Sequence, residues 1–304
     1  MQPRSAAVIR PTTIVEPARL SRRLRATVTI ASETFQHTGS FKFRAASHLA
    51  STVAQQHIIT ASSGNFGQAL ACACQILGKS CTVVMPANSA RVKVEAVREF
   101  GGIVDLIDTG RISRSSRVRE LATEHPEAYA ASAYDDPLVI AGNATLGAEL
   151  AALDTPLDCI LAPLGGGGLT AGIIRGLRAA GSTVPVLAVE PLLANDGARS
   201  LRAGCIVANE AEPTTIADGV RTLSLGRHNW AILRDGLAGV IEVTEEQIIE
   251  AVRLLFHLAN LKVEPTGALS VAALLAAPER FRGRSVCCVA SGGNVDPEVF
   301  RALI

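Results

Sequence analysis

A chain of 304 residues, 48 % of them apolar, is long enough for a full hydrophobic core and for two lobes. A net charge of +1, with no long run of like charge, provides no field for nucleic acid. No apolar stretch approaches the roughly 20 residues of a membrane helix, and residues 1–5 open no signal peptide, so a cytoplasmic protein without membrane partners is expected.

Residues 1–25 are rich in Pro, Thr and Arg and predict no more than a short helix, with Arg22, Arg23 and Arg25 on its polar face. Short β-branched runs then alternate with helical patterns. Strands are predicted at 57–61, 81–85, 103–107, 158–162, 184–189 and 285–290. Continuous apolar strands of this kind are covered on both faces, which gives an α/β class with a parallel sheet flanked by helices. Helices are predicted over 67–77, closed by Gly78, and over 92–100, closed by Gly101, where glycine accepts the left-handed stop. Residues 210–215, with Pro213, read as a surface connection. The strand–helix rhythm runs to the last residues, so no appended regulatory domain is expected. Seven cysteines (72, 74, 81, 159, 205, 287 and 288) lack CxxC spacing, and several sit inside apolar runs. They read as reduced, buried thiols of a cytosolic protein.

Four segments lie where a strand hands over to a helix, the place where α/β folds bind ligands. In Thr38-Gly39-Ser40-Phe41-Lys42-Phe43-Arg44, a lysine sits near a helix start among apolar neighbours. Desolvation there would lower its pKa, as a Schiff-base lysine requires. On this heptapeptide alone, a snorkelling surface lysine is the stronger reading. In Ala61-Ser62-Ser63-Gly64-Asn65-Phe66, a strand ends in small polar residues before a helix, a turn able to hold a carboxylate. A plain N-cap by Ser62 or Ser63 fits equally, and one turn can do both. Gly165-Gly166-Gly167-Gly168 precede Leu169 and Thr170 and carry a large backbone entropy cost. A phosphate approaching the main chain at a helix N-terminus explains them better than a tight turn does. They match neither a P-loop nor a dinucleotide fingerprint. Ser291-Gly292-Gly293-Asn294 again offers a hydroxyl and glycines after a strand, a weak signal by itself.

Two further groups carry carboxylates. Glu190 and Asp196 flank a turn at a strand end and suit either a hard cation or the capping of the next helix. Glu264 stands before Pro265 at a helix start, where the macrodipole alone explains it.

Taken together and in this order, these segments resemble the fold-type II pyridoxal-phosphate enzymes, most closely the serine/threonine dehydratases and serine racemases. The resemblance runs from about Thr12 to the C-terminus and includes Ile216-Ala217-Asp218-Gly219-Val220 and Val263-Glu264-Pro265-Thr266-Gly267-Ala268. It implies two open α/β lobes, the smaller (56–134) inserted into the larger (1–55 and 135–304), and usually a homodimer. It implies pyridoxal 5'-phosphate on Lys42 as a Schiff base, with Phe41 and Glu264 beside it. Gly165, Gly166, Gly167, Gly168 and Leu169 would hold the phosphate, Asn65 the phenolic oxygen and Ser291 the pyridine nitrogen. The substrate carboxylate would lie on Ser62, Ser63, Gly64 and Asn65. Ser63 matches the position that serves racemases as acid/base on the opposite face. Glu190, Ala194 (through its carbonyl) and Asp196 match a site for Mg²⁺ or another cation.

The activity implied is a dehydratase (ammonia-lyase) converting a small β-hydroxy amino acid, of the L-serine or L-threonine type, to a 2-oxo acid and ammonia. An amino-acid racemase and a catalytically silent cofactor-binding protein are the alternatives. Phe66 stands where the family often has His, Gly142-Asn143-Ala144-Thr145 where it has Gly-Gln-Gly-Thr, Ala45 in place of glycine and Ala31 in place of a basic residue. These departures leave cofactor attachment intact and alter the pocket wall, so a bulkier 3-substituted serine enters the range of substrates.

Overall fold

The computed structural model describes residues 9–62, 64–89 and 91–304. Strands and helices alternate along the chain: β1 (Thr13–Val15), α1 (Ala18–Leu24), β2 (Thr27–Ser32), α2 (Lys42–Thr52), β3 (His57–Ala61), α3 (Asn65–Leu77), β4 (Ser80–Pro86), α4 (Arg91–Glu99), β5 (Ile103–Ile107), α5 (Arg114–Glu124) and β6 (Tyr129–Ala131). The second half adds α6 (Pro137–Ala151), β7 (Cys159–Pro163), α7 (Gly168–Ala179), β8 (Val186–Pro191), α8 (Asp196–Ala203), α9 (Arg227–Gly236), β9 (Leu237–Val243), α10 (Glu245–Ala259), α11 (Pro265–Ala276), α12 (Pro278–Phe281), β10 (Ser285–Ala290) and α13 (Pro297–Leu303). The predicted strands are all present within two residues at each end. Two predicted helix stops hold as well, with Gly78 and Gly101 at φ +67° and +76°.

The strands form two sheets. One has six strands in the order β1-β2-β10-β7-β8-β9, parallel except for β1, which pairs antiparallel with β2. Its faces are both buried. Along β10, Val286 and Cys288 join a core with Ile30, Leu161 and residues of α10 and α11, while Cys287 and Val289 join one with Ile160, Ala162 and residues of α6 and α7. A strand that feeds two cores must be apolar at every position, which is why these segments read as unbroken runs.

The other sheet has four parallel strands, β5-β4-β3-β6, all drawn from residues 57–131. Its core holds Ile58, Phe66, Leu70, Val83 and Met85, together with Phe43 and Leu49 of α2, which precede residue 56. α2 packs against both α3 and α6 and so seats one sheet on the other. Six cysteines are buried as expected, whereas Cys205, after α8, is exposed. Among the described residues, no helix is long and apolar enough to cross a membrane.

Candidate active site

The carboxyl ends of β2, β7 and β10 converge on one recess, with β3 facing them from the second sheet. β2 and β10 lie side by side in register from Thr27↔Ser285 to Ser32↔Ala290, so the turns that follow them meet. Phe41 N–H donates to the Ser291 carbonyl (2.9 Å), and Ser40 bridges to Gly292. These bonds deliver Lys42, the first residue of α2, to the recess beside Ser291. Two residues on, the buried Arg44 donates to Glu33 through Nε (2.7 Å) and Nη2 (2.9 Å), and to Glu149 through Nη1 (2.6 Å). The lysine turn is therefore anchored from behind by an internal ion network.

The Lys42 ammonium donates to the Ala133 carbonyl (3.1 Å) and lies 5.0 Å from the Phe41 ring centre and 5.8 Å from that of Phe66. Burial against these rings lowers its pKa to about 8, and Glu264 opposes the shift. A surface lysine would show none of this. The surface lysine that the heptapeptide alone favoured is not what the structure has: Lys42 lines the recess between two rings.

The glycine loop runs from β7 into α7 and faces Lys42 across the recess. Gly165, Gly166, Gly167, Gly168 and Leu169 line it with Phe41, Lys42, Tyr134, Gly219, Val220, Thr266 and Ser291. The first amides of α7 have no partner inside the helix, and Gly168 and Leu169, which carry two of them, line this space. Gly167 has φ +96°, which excludes other residues at low cost. A Cβ on Gly166 would lie 2.2 Å from the Tyr134 ring, and one on Gly165 2.9 Å from the Val220 backbone. Part of the demand for glycine therefore comes from the protein itself. The loop is braced from outside: Asn143 Nδ2 donates to the Gly168 carbonyl (3.0 Å), and Asn229 Nδ2 to the Gly166 carbonyl (2.6 Å). Asn143 thus supports the loop and does not line the recess, whereas Phe66 faces Lys42 directly.

Asn65 opens α3, and its N-cap residue, Gly64, gives the helix no side-chain cap. Ser62 Oγ accepts from Gly64 N–H (3.3 Å), closing the turn rather than capping the helix. Ser63 lies outside the described residues. Asn65 Nδ2 donates to Glu264 (2.9 Å), and its Oδ1 accepts from Asn294 (2.9 Å), so the second sheet's turn is pinned to the first sheet's. Glu264 makes no cap bond to α11 despite its position. Burial pushes its carboxyl up to about 8; Asp218 adds to this, while the Asn65 bond, Lys93 and Lys42 pull it down.

Glu190 and Asp196 come together as expected, at the end of β8 and the start of α8, with Ala194 between them. The Glu190 oxygens accept from the amides of Gly197 (2.9 Å) and Ala198 (2.8 Å), so of the two carboxylates it is Glu190 that serves the helix start. Asp196 Oδ1 accepts from Asn209, and its buried Oδ2 has no partner. Burial raises both carboxyls, that of Asp196 to about 6, and their mutual repulsion raises Glu190 further. Among the described residues, no group of three or more His, Cys, Asp or Glu side chains could hold a metal.

Tyr134, Ala133, Val220, Thr266 and Asn294 were not singled out as site residues from the sequence. Thr266 accepts from Gly219 N–H (2.9 Å) and lay within a noted motif, as did Asn294. Tyr134 carried no signal: it stands on an irregular connection and is held at the recess by Asn229 of α9, whose Nδ2 donates to its carbonyl (3.0 Å).

A family model described as pyridoxal-phosphate dependent enzyme matches residues 6–292. The chain is 38 % identical over 283 residues to the L-threo-3-hydroxyaspartate ammonia-lyase of Pseudomonas sp, covering 92 % of this chain and 88 % of that one. It is 35 % identical to the serine racemase of Schizosaccharomyces pombe, covering 94 % and 90 %. Among solved structures, the T.th. threonine deaminase superimposes with a TM-score of 0.90 at 40 % identity over 96 % of each chain.

Proposed function

Because the chain belongs to the pyridoxal-phosphate dependent enzyme family, we propose that it is an ammonia-lyase converting a small β-hydroxy amino acid to a 2-oxo acid and ammonia. The recess residues fit the cofactor: a glycine cradle that side chains would fill, a desolvated amine opposite it, and a buried hydroxyl on the remaining wall. Gly165 to Gly168 and Leu169 would hold its phosphate through main-chain amides, and Lys42 would carry its aldehyde carbon. Ser291 would face the ring nitrogen, and Asn65, with its second N–H, the ring oxygen; Phe41 and Glu264 would border the ring. When bound, the cofactor supplies an electron sink for the pair left at Cα.

The observation that carries the reading is Lys42, set between two aromatic rings with its pKa lowered to about 8. Its neutral fraction near pH 7 equips it to take the Cα proton. The α-carboxylate is received at the turn of Ser62, Gly64 and Asn65, where α3 presents free amides; Ser63 belongs to the same turn in sequence. Phe41, Phe66 and Tyr134 keep bulk water from the amine. A neutral Ser291 hydroxyl, unlike a carboxylate, does not hold a proton on the ring nitrogen. The Lys42 ammonium formed on taking the Cα proton would return that proton to the β-hydroxyl, which departs as water. Hydrolysis of the released enamine then gives the 2-oxo acid and ammonia.

The two lyase relatives support this reading, one named for 3-hydroxyaspartate and one for threonine. Formation of 2-oxo acid from L-serine, L-threonine and L-threo-3-hydroxyaspartate tests it. No product from any of them sinks it. The serine racemase relative supports racemisation as a second reading, with Ser63 as the opposite-face acid/base. It predicts D-serine that Ser63→Ala abolishes while elimination survives. An absorption spectrum that no amino acid perturbs would favour a silent cofactor-binding protein over both.

Two further features belong to the proposal. Glu190, Asp196 and the Ala194 carbonyl would hold Mg²⁺ or another cation, supported by the unpartnered Asp196 Oδ2. EDTA should then lower both Tm and activity, with Mg²⁺ restoring them. Residues 56–134 would form the smaller lobe of a homodimeric enzyme, with light scattering the measure of assembly.

A further inference from the structure

Among the described residues, the recess offers a substrate one cation, Lys42, which the chemistry already occupies. A β-hydroxy amino acid with a second carboxylate therefore needs another, within reach of the recess and free to change partners. Lys93 is the candidate, because its ion-pair partner adjoins the recess wall in sequence. It projects from α4, on the second sheet's side of the cleft, and donates to Asp218 Oδ2 (2.5 Å) on the short 218–220 turn of the first sheet's side. The next two residues after Asp218, Gly219 and Val220, line the recess itself. Lys42 and Lys93 are the two cations whose charge is felt at Glu264 in the recess wall.

The pair is only part-buried, with 36 % of the Lys93 side chain and 40 % of the Asp218 side chain exposed. That is decisive for the exchange. A buried pair would lose its partner at a cost of several kcal/mol, whereas a part-exposed carboxylate returns to water and the ammonium accepts another carboxylate with little net change. Arg114 and Glu212 (3.2 Å) span the same cleft, but farther along the chain from the 219–220 wall.

We propose that Lys93 determines specificity for a substrate with a second carboxylate, exchanging its ion pair with Asp218 for the β-carboxylate of a 3-hydroxyaspartate-type amino acid. The inference rests on the lyase reading above and names its substrate class. Asp218 is then a competitor: it keeps Lys93 occupied when the substrate side chain is neutral.

The test uses the holoenzyme and compares kcat/KM for L-threo-3-hydroxyaspartate with that for L-serine. Lys93→Gln should lower this ratio by about tenfold or more, mainly through KM of the dicarboxylate, as expected for a lost charge-assisted hydrogen bond. Asp218→Asn should move the ratio the other way. Calorimetric titration with succinate and with butyrate reads the same exchange without turnover: the preference for succinate should fall in Lys93→Gln and rise in Asp218→Asn. Parallel losses on both substrates in both variants, with the ratio unchanged, would mean that the pair merely ties the two sides together, and would overturn the proposal. So would a wild-type enzyme that acts on L-serine but not on hydroxyaspartate, which leaves the lyase reading standing. If no substrate yields a 2-oxo acid, the lyase reading fails, and the succinate preference still decides the role of Lys93.

Discussion

Gly166→Ala separates two reasons for the glycine loop. Gly166 does not have a left-handed φ, so alanine is free to adopt its backbone. The obstacle is contact: the new Cβ would lie 2.2, 2.5 and 2.5 Å from three Tyr134 ring carbons, where about 3.5–4 Å is comfortable. Relieving more than an ångström of overlap must turn the ring or push the loop. Overpacking of this kind costs about 1–3 kcal/mol, which corresponds to roughly a 5- to 150-fold loss in cofactor affinity if the whole cost falls on the loop's binding geometry. Titrating apoenzyme with pyridoxal phosphate, followed by absorbance, measures it. Tyr134→Ala removes all three crowding atoms, so Gly166→Ala/Tyr134→Ala should bind the cofactor about as tightly as Tyr134→Ala alone. A double variant no tighter than Gly166→Ala would refute this reasoning and place the demand for glycine at the phosphate.

Arg44→Met should destabilise the protein by about 3–5 kcal/mol, since Glu33 would keep a buried charge without its partner, lowering Tm by roughly 6–20 °C. Adding Glu33→Gln should recover much of that loss, as read by thermal melting of the double variant. The rate at which apoenzyme takes up pyridoxal phosphate should rise about tenfold per pH unit below about pH 8 and then level off, because attack needs the neutral Lys42 amine. Glu264 raises the Lys42 pKa, so Glu264→Gln should move that plateau to lower pH. A rate that goes on rising tenfold per pH unit through pH 9 and 10, as for an ordinary lysine, would contradict the desolvated amine.

The sheet architecture was legible because doubly covered strands have no polar face to blur them. What escaped were β2, which lies inside its sheet, and the edge strands β1, β6 and β9. An edge strand has one neighbour, and the sequence of β9 carries Gly239 and Glu242 within it. The glycine loop and Ser291 were found because they stand at strand ends, where local sequence and position agree. Tyr134 and Asn143 were not placed correctly, because their roles come from helix packing across more than 20 residues, which no local pattern encodes. Glu264 was recognisable as a residue at a helix start. That its carboxylate would turn away from the helix to Asn65, 199 residues distant, was not.

The strand that leads into Ser291, β10, is the last of the described strands but lies in the middle of its sheet, between β2 and β7. During synthesis, β2 and β7 emerge with an open slot between them, and the Lys42 turn lacks the Ser291 carbonyl and Gly292 bridge that hold it. The four-stranded sheet, complete at residue 131, has no such wait. The Lys42 turn therefore gains these two holds only once β10 has entered the sheet, and uptake of pyridoxal phosphate during refolding should follow that insertion.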